Sequence, residues 1–201
     1  GIRDTNSINF VIIDMQSLGV IGDGVTANDQ LISNILLSSG SQDLILNFPT
    51  GTFLFNSTIN LGSNLIIKGE GSENTILKFD LGGSGHAISG QGNINNTDTT
   101  FLTHSALKDS NYILVSNSSL FSDDDWIYLS QNDSDLVTSN WALNTVGQIF
   151  KISHIVNNQI YIQSPIRIDY DILREPFIRK IDPVKNIGIE CLKIIRIDNT
   201  S

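Results

Sequence analysis

The chain contains a single cysteine, Cys191, among 201 residues, which excludes both a disulfide framework and a cysteine-based zinc cluster. Cys191 lies in an apolar, strand-like run, so the sequence predicts a buried, inert thiol. Basic side chains are scarce as well: 12 Lys and Arg stand against 21 Asp and Glu, a formal net charge of −9. A field of that sign repels a phosphate backbone and excludes a non-specific grip on nucleic acid. It also means that any polyanionic ligand would need a local Arg/Lys cluster or a bridging Ca²⁺. No apolar run approaches the ~20 residues that span a bilayer, so no membrane span is expected. His86, His104 and His154 are scattered, with no serine or cysteine nucleophile motif beside them, which leaves a hydrolytic triad unsupported. Gly82-Gly83-Ser84-Gly85 lacks the lysine and the following helix of a phosphate loop.

What is present is a chain that is 40% hydrophobic, enough to argue against disorder and to bury a sizeable core. Between Asp43 and Gly92, short apolar runs at Leu44-Ile45-Leu46, Phe53-Leu54-Phe55, Leu65-Ile66-Ile67, Thr75-Ile76-Leu77 and His86-Ala87-Ile88 are each bounded by Gly, Pro, Asn or Ser. They read as strands punctuated by turns. Leu44 to Leu65 is 21 positions and Leu65 to His86 is another 21, a period that suits a solenoid whose stacked coils share one core. An antiparallel sandwich also has short, evenly spaced strands, and periodicity alone favours the solenoid only slightly. Before the first coil, Leu31, Ile32, Ile35 and Leu36 fall on one face of a helix predicted over about 28–39. Asn28 or Thr26 is its expected cap, Asp29 suits the macrodipole and Gly40 is the stop. Such a helix plugs the open end of a core. Asp23 reads as a turn residue, with metal binding as the alternative.

Three motifs carry a family likeness. Gly22-Asp23-Gly24-Val25-Thr26 leads into the helix, Phe48-Pro49-Thr50-Gly51-Thr52-Phe53 closes the next strand, and Leu65-Ile66-Ile67-Lys68-Gly69-Glu70-Gly71 follows. Over Gly19 to Gly92 the chain resembles the N-terminal part of secreted pectate-lyase-like right-handed parallel β-helix proteins. It departs from them at Ala27-Asn28-Asp29-Gln30, where Asp-Asp-Thr is usual, which alters the helix cap. The resemblance implies an all-β, right-handed parallel β-helix with a capping helix, and a secreted or cell-surface location. It also implies a polysaccharide partner, lyase or glycoside hydrolase activity, and catalytic groups on the outer face of later coils.

From Thr99 to about Val184 the pattern changes. Strand candidates at Thr99-Phe101-Leu102, Tyr112 to Val115, Trp126 to Leu129, Gln148 to Ile155 and Gln159 to Ile162 alternate like antiparallel strands, with Asn157-Asn158 as a tight hairpin turn. The expected organisation is cap and first coils over 1–95, an inserted antiparallel β subdomain over 96–184, and a resumed coil over 185–201. Asn64 and Asn186 are expected in equivalent turns. The resumed coil carries no cap, so the reading expects a fragment, its open end covered by missing coils or by another chain.

Candidate chemistry concentrates in the insertion. Arg167, Asp169, Tyr170 and Arg174 form the densest polar-aromatic cluster, and a base with a cation to stabilise an enolate is what a lyase needs; the same alternation fits a plain strand exit. Asp123-Asp124-Asp125, with Asp133 and Asp135, could supply oxygen ligands to Ca²⁺, although a solvated turn has the same composition. Trp126 and Trp141 could stack on sugar rings or fill the subdomain core. Two functions follow: the scaffold part of a polysaccharide-degrading enzyme, lyase before hydrolase, or a non-catalytic module that holds a glycan or protein at a surface.

Overall fold

The computed structural model describes residues 9–38, 40, 42–143 and 145–197. They are mostly β with one α-helix and form two compact units, one made of residues up to Gln91 with those from Val184 on, the other of Gly92–Pro183. The boundaries expected at 95/96 and 184/185 fall at 91/92 and 183/184. The first moves because the strand that opens the second unit already begins at Asn93.

The first unit runs β1 (Val11–Asp14), β2 (Asp23–Ala27), α1 (Asp29–Ser38), β3 (Leu44–Asn47), β4 (Gly51–Phe55), β5 (Ile59–Asn60), β6 (Leu65–Lys68), β7 (Thr75–Asp80) and β8 (Ile88–Ser89). β1, β3 and β6 pair in parallel, as do β2, β4 and β7, and β5 with β8. The turns β3-β4-β5 and β6-β7-β8 thus visit three sheets in the same order, and β1-β2 visits the first two. The first 21-residue interval is real, for Leu44 lies opposite Leu65. The second is a coincidence. Ile88 of the His86-Ala87-Ile88 run pairs with Ile59 in the third sheet, so this run completes the coil that β6 began.

The second unit runs β9 (Asn93–Phe101), β10 (Tyr112–Leu114), β11 (Trp126–Ser130), β12 (Gly147–Val156), β13 (Gln159–Ile162) and β14 (Phe177–Asp182). These make one antiparallel sheet in the order β10-β13-β12-β11-β14-β9. Asn157 turns the β12–β13 hairpin at φ 53°. β14 is the strand that sequence alternation does not announce, because Arg179-Lys180 interrupts its apolar rhythm.

The chain then returns to the first unit as β15 (Gly188–Glu190) and β16 (Lys193–Ile197), laid parallel on β6 and β7. Ile13, Leu46, Ile67 and Ile189 therefore form one column through four strands. Phe55 and Phe79 stack at 5.3 Å, and Phe48 meets Phe53 edge-on at 5.1 Å. Fully burying such side chains contributes roughly 1.5–3 kcal/mol each. At the corners, Asn64 and Asn186 share the left-handed conformation, with φ 60° and 53°, and Asn186 Nδ2 donates to Asn64 Oδ1 at 2.8 Å. Cys191 also turns a left-handed corner, at φ 53°, and is exposed rather than buried. The apolar run around it is two short strands separated by that corner.

Ile32 and Ile35 of α1 join the core while Leu31 and Leu36 pack beside it. The helix begins differently from expectation. Asn28 contributes its main-chain carbonyl to Ile32 N–H, but its buried amide turns away to pair with Ile21, accepting from Ile21 N at 2.9 Å and donating to Ile21 O at 3.0 Å. Asp29 accepts from Asn56 N at 3.0 Å and from the Ser57 hydroxyl, fastening α1 to the corner after β4. The Asp23 carboxylate accepts from Val25 N, Thr26 N and Thr26 Oγ1. Those bonds, the one from Thr26 N first, hold it below the usual carboxylate range, and they close a tight loop onto Thr26 within β2, where the register with β4 shifts.

Candidate sugar-binding face of the antiparallel sheet

Alternation along the strands of the second unit sorts their side chains onto two faces. Ile127, Leu129, Phe150, Ile152 and Ile178 turn into a core that also holds Ile113, Ile160 and Ile166. The residues between them turn the other way. On that second face, Arg179 of β14, Tyr128 of β11 and Ile149 of β12 stand directly opposite one another. Two residues along, Trp126 faces Lys151. Trp126 and Tyr128 are half-buried, and Ile149 is exposed.

Beside Tyr128 lies a depression of about 390 Å³ lined by Tyr128, Gly147, Gln148, Ile149, Ser164 and Arg167. Gln148 shapes it, donating from Nε2 to Pro165 O at 3.1 Å and accepting from Arg167 N at 3.0 Å. Gly147 makes room for the Tyr128 ring, because a Cβ built there would lie 2.3 Å from the phenolic oxygen. Further across the sheet, Tyr112, Tyr161 and His154 are in register, with His154 stacked on Tyr161 at 4.3 Å.

The four residues of the expected lyase cluster are dispersed. Arg167 lines the depression. Asp169 accepts from Lys108 N at 2.7 Å and so closes a loop. Tyr170 is fully buried in the core, so its phenol cannot serve as a surface base. Its hydroxyl has no hydrogen-bond partner, and burial, with the nearby Tyr128 adding to it, pushes its pKa up to about 12. Arg174 pairs with Asp135.

The acidic turn is also engaged. Asp124 pairs with Lys151 at 2.6 Å, and Asp125 accepts from Lys180 at 2.7 Å and Ser122 N at 2.9 Å. The Asp125 bond raises the Lys180 pKa. Asp123 is exposed and Asp133 is buried, accepting from Val146 N. Among the described residues no three His, Cys, Asp or Glu side chains gather as a metal-binding group. The two tryptophans divide: Trp126 belongs to the second face, whereas Trp141, 85% exposed on the 3-10 turn Asn140–Ala142, fills no core. Tyr128, Gly147 and Gln148 were not singled out in the sequence; the available signal was the Trp126-Ile127-Tyr128 alternation.

The fold has known relatives. A family model described as rhamnogalacturonase A/epimerase, pectate lyase-like, matches residues 12–159, and the chain belongs to that family of β-helix proteins. Among individual proteins it is 30% identical over 175 residues to the capsule K1-specific depolymerase of Klebsiella phage K64-1, covering 84% of this chain and 18% of that one. Its fold is similar to the tailspike of Acinetobacter baumannii bacteriophage AP22, solved in complex with A. baumannii capsular saccharide, with a TM-score of 0.71 at 16% identity over 92% of this chain and 29% of that one. It is also similar to the tailspike of Pseudomonas phage phi297, with a TM-score of 0.66 at 12% identity over 91% of this chain and 34% of that one. The chain spans about a third or less of the length of each of these proteins.

Proposed function

We propose that this chain is the glycan-holding and scaffold part of a polysaccharide-degrading, right-handed parallel β-helix protein, acting outside cells where capsule-like polymers lie. The observation that carries the reading is the depression beside Tyr128, whose lining combines that aromatic ring and apolar Ile149 with polar Gln148 and Arg167. A sugar ring asks for this combination, with an apolar face for its C–H groups and fixed polar groups for its hydroxyls. The capsule depolymerase and the saccharide-bound tailspike among the similar proteins support the same substrate class.

For this chain we assign binding rather than bond cleavage. Asp124, Asp125 and Asp135 each face a cation, Asp169 is held by main chain and Tyr170 is buried, so none of them is placed as a free acid or base. Cleavage, by a lyase before a hydrolase, belongs to the larger protein. We also propose that a further coil, from the same protein or another chain, stacks on β15 and β16. Ile187, Ile189 and Ile194 are 42%, 43% and 41% exposed, and Ile189 and Ile194 continue the core columns of Ile67 and Leu77.

The test is electrophoresis of the purified chain through native gels cast with capsular polysaccharides from several bacterial serotypes, alongside an assay for unsaturated product. The expected result is retardation by at least one polymer without turnover. Free migration through every gel contradicts binding, and turnover by this chain alone contradicts the division of labour.

A further inference from the structure

The second unit has six cationic side chains, Lys108, Lys151, Arg167, Arg174, Arg179 and Lys180. Lys151, Arg174 and Lys180 are paired with Asp124, Asp135 and Asp125. Arg167 and Arg179 have no carboxylate partner among the described residues, although acids outnumber bases in this chain by 21 to 12. Both unpaired guanidiniums flank the same ring. Arg167 lines the depression beside Tyr128, and Arg179 stands opposite Tyr128 on the neighbouring strand. The Arg179 guanidinium carbon lies over the Phe177 ring, 4.5 Å from its centroid, and Arg179 Nε is buried without a hydrogen-bond partner.

We propose that Arg167, Tyr128 and Arg179 form a subsite for a negatively charged sugar unit, with the guanidiniums receiving carboxylates of the polymer and the phenol ring its apolar face. This deepens the glycan-binding reading above and rests on it. The guanidinium fork matches a carboxylate in a bidentate way that an ammonium does not. Adjacent strands are about 5 Å apart, which puts Arg179 beside Tyr128, and Arg167 lines the depression next to the same ring, so both cations are within the reach of neighbouring sugar units. The overall charge of −9 opposes a polyanion, so local cations are what such a polymer requires. A neutral polymer would leave both guanidiniums without the partner that their geometry suits.

The experiment is affinity electrophoresis of the chain in alginate, which carries a carboxylate on every residue and so presents charge in any register, in methyl-esterified alginate, and in dextran. The expected result is retardation by alginate that falls with added salt and is absent in the ester. Arg167→Ala, on an exposed loop, should weaken alginate binding about tenfold, the usual effect of losing one charge-assisted contact. Arg179→Lys, which keeps the charge and spares the packing on Phe177, should weaken it less than Arg179→Gln. Retardation by dextran or by the ester as strong as by alginate overturns the anionic subsite while leaving glycan binding in place. Free migration through all three gels, with retardation in a capsular gel, overturns the anionic subsite alone, and free migration through the capsular gels as well overturns both. Unchanged alginate binding in Arg167→Ala and Arg179→Gln, with melting curves like the parent's, overturns the assignment of these residues.

Discussion

Tyr170 and Asn28 show opposite treatments of a buried polar group. Tyr170 keeps a hydroxyl in the core with no partner, and its pKa, ordinarily about 10, rises to about 12 because burial disfavours the phenolate. The fold therefore holds the neutral phenol. That contribution is fully present below pH 10 and is lost as pH climbs through about 12, at ~1.4 kcal/mol per unit of difference. Tyr170→Phe removes the orphan hydroxyl, so we expect unchanged or slightly higher stability at neutral pH and an alkaline unfolding midpoint moved upward. A variant that loses more than about 1 kcal/mol at pH 7 would show that the hydroxyl is bonded after all. Asn28 is the satisfied case, its amide paired with both polar groups of Ile21. Asn28→Ala leaves those groups unpaired, at about 1–3 kcal/mol each. In thermal melts the first unit should lose roughly 10–30 °C, and a loss under about 2 °C would contradict this role.

At the scale of elements, the corners govern the stacking of coils. Asn186 supplies both a left-handed backbone and a rung to Asn64. Asn186→Gly should cost about 1 kcal/mol for the lost rung, and Asn186→Val a further 1–2 kcal/mol for the strained backbone. Equal losses in urea titrations would mean that the conformation is not what asparagine supplies. In the antiparallel sheet, Gly147→Ala should displace the Tyr128 ring and weaken polysaccharide retention about tenfold while leaving the first unit's melting unchanged; full retention would detach the ring from the site. Much of this element structure was legible in the sequence. Gly and Asn bounded the short apolar runs, and alternation marked β11, β12 and β13. The errors came where a local pattern was answered by a distant partner. The apparent period at His86 belonged to the third sheet, the true successor of β6 lies beyond the insertion at Gly188, and the Asn28 amide chose Ile21 over its own helix. The candidate site was harder still. Clustering along the chain linked Arg167 with Asp169, Tyr170 and Arg174, whereas strand pairing links Arg179 with Tyr128, and the depression brings Arg167 beside the same ring.

In the whole molecule, the first unit is a parallel stack whose apolar column is still exposed at Ile189, and the second is an antiparallel sheet with Trp126, Tyr128 and Arg179 on one face. Among the described residues no helix is long and apolar enough to cross a membrane. The central claim is that polysaccharide lands on the face carrying Trp126 and Tyr128. The chain has only two tryptophans, so Trp141→Phe leaves Trp126 as the sole indole reporter and Trp126→Phe leaves Trp141. The decisive measurement is the fluorescence of each variant, titrated with a polysaccharide that retards the parent chain. The account predicts a saturable change in the Trp126 signal and none in that of Trp141; saturable binding that leaves Trp126 unchanged would contradict it.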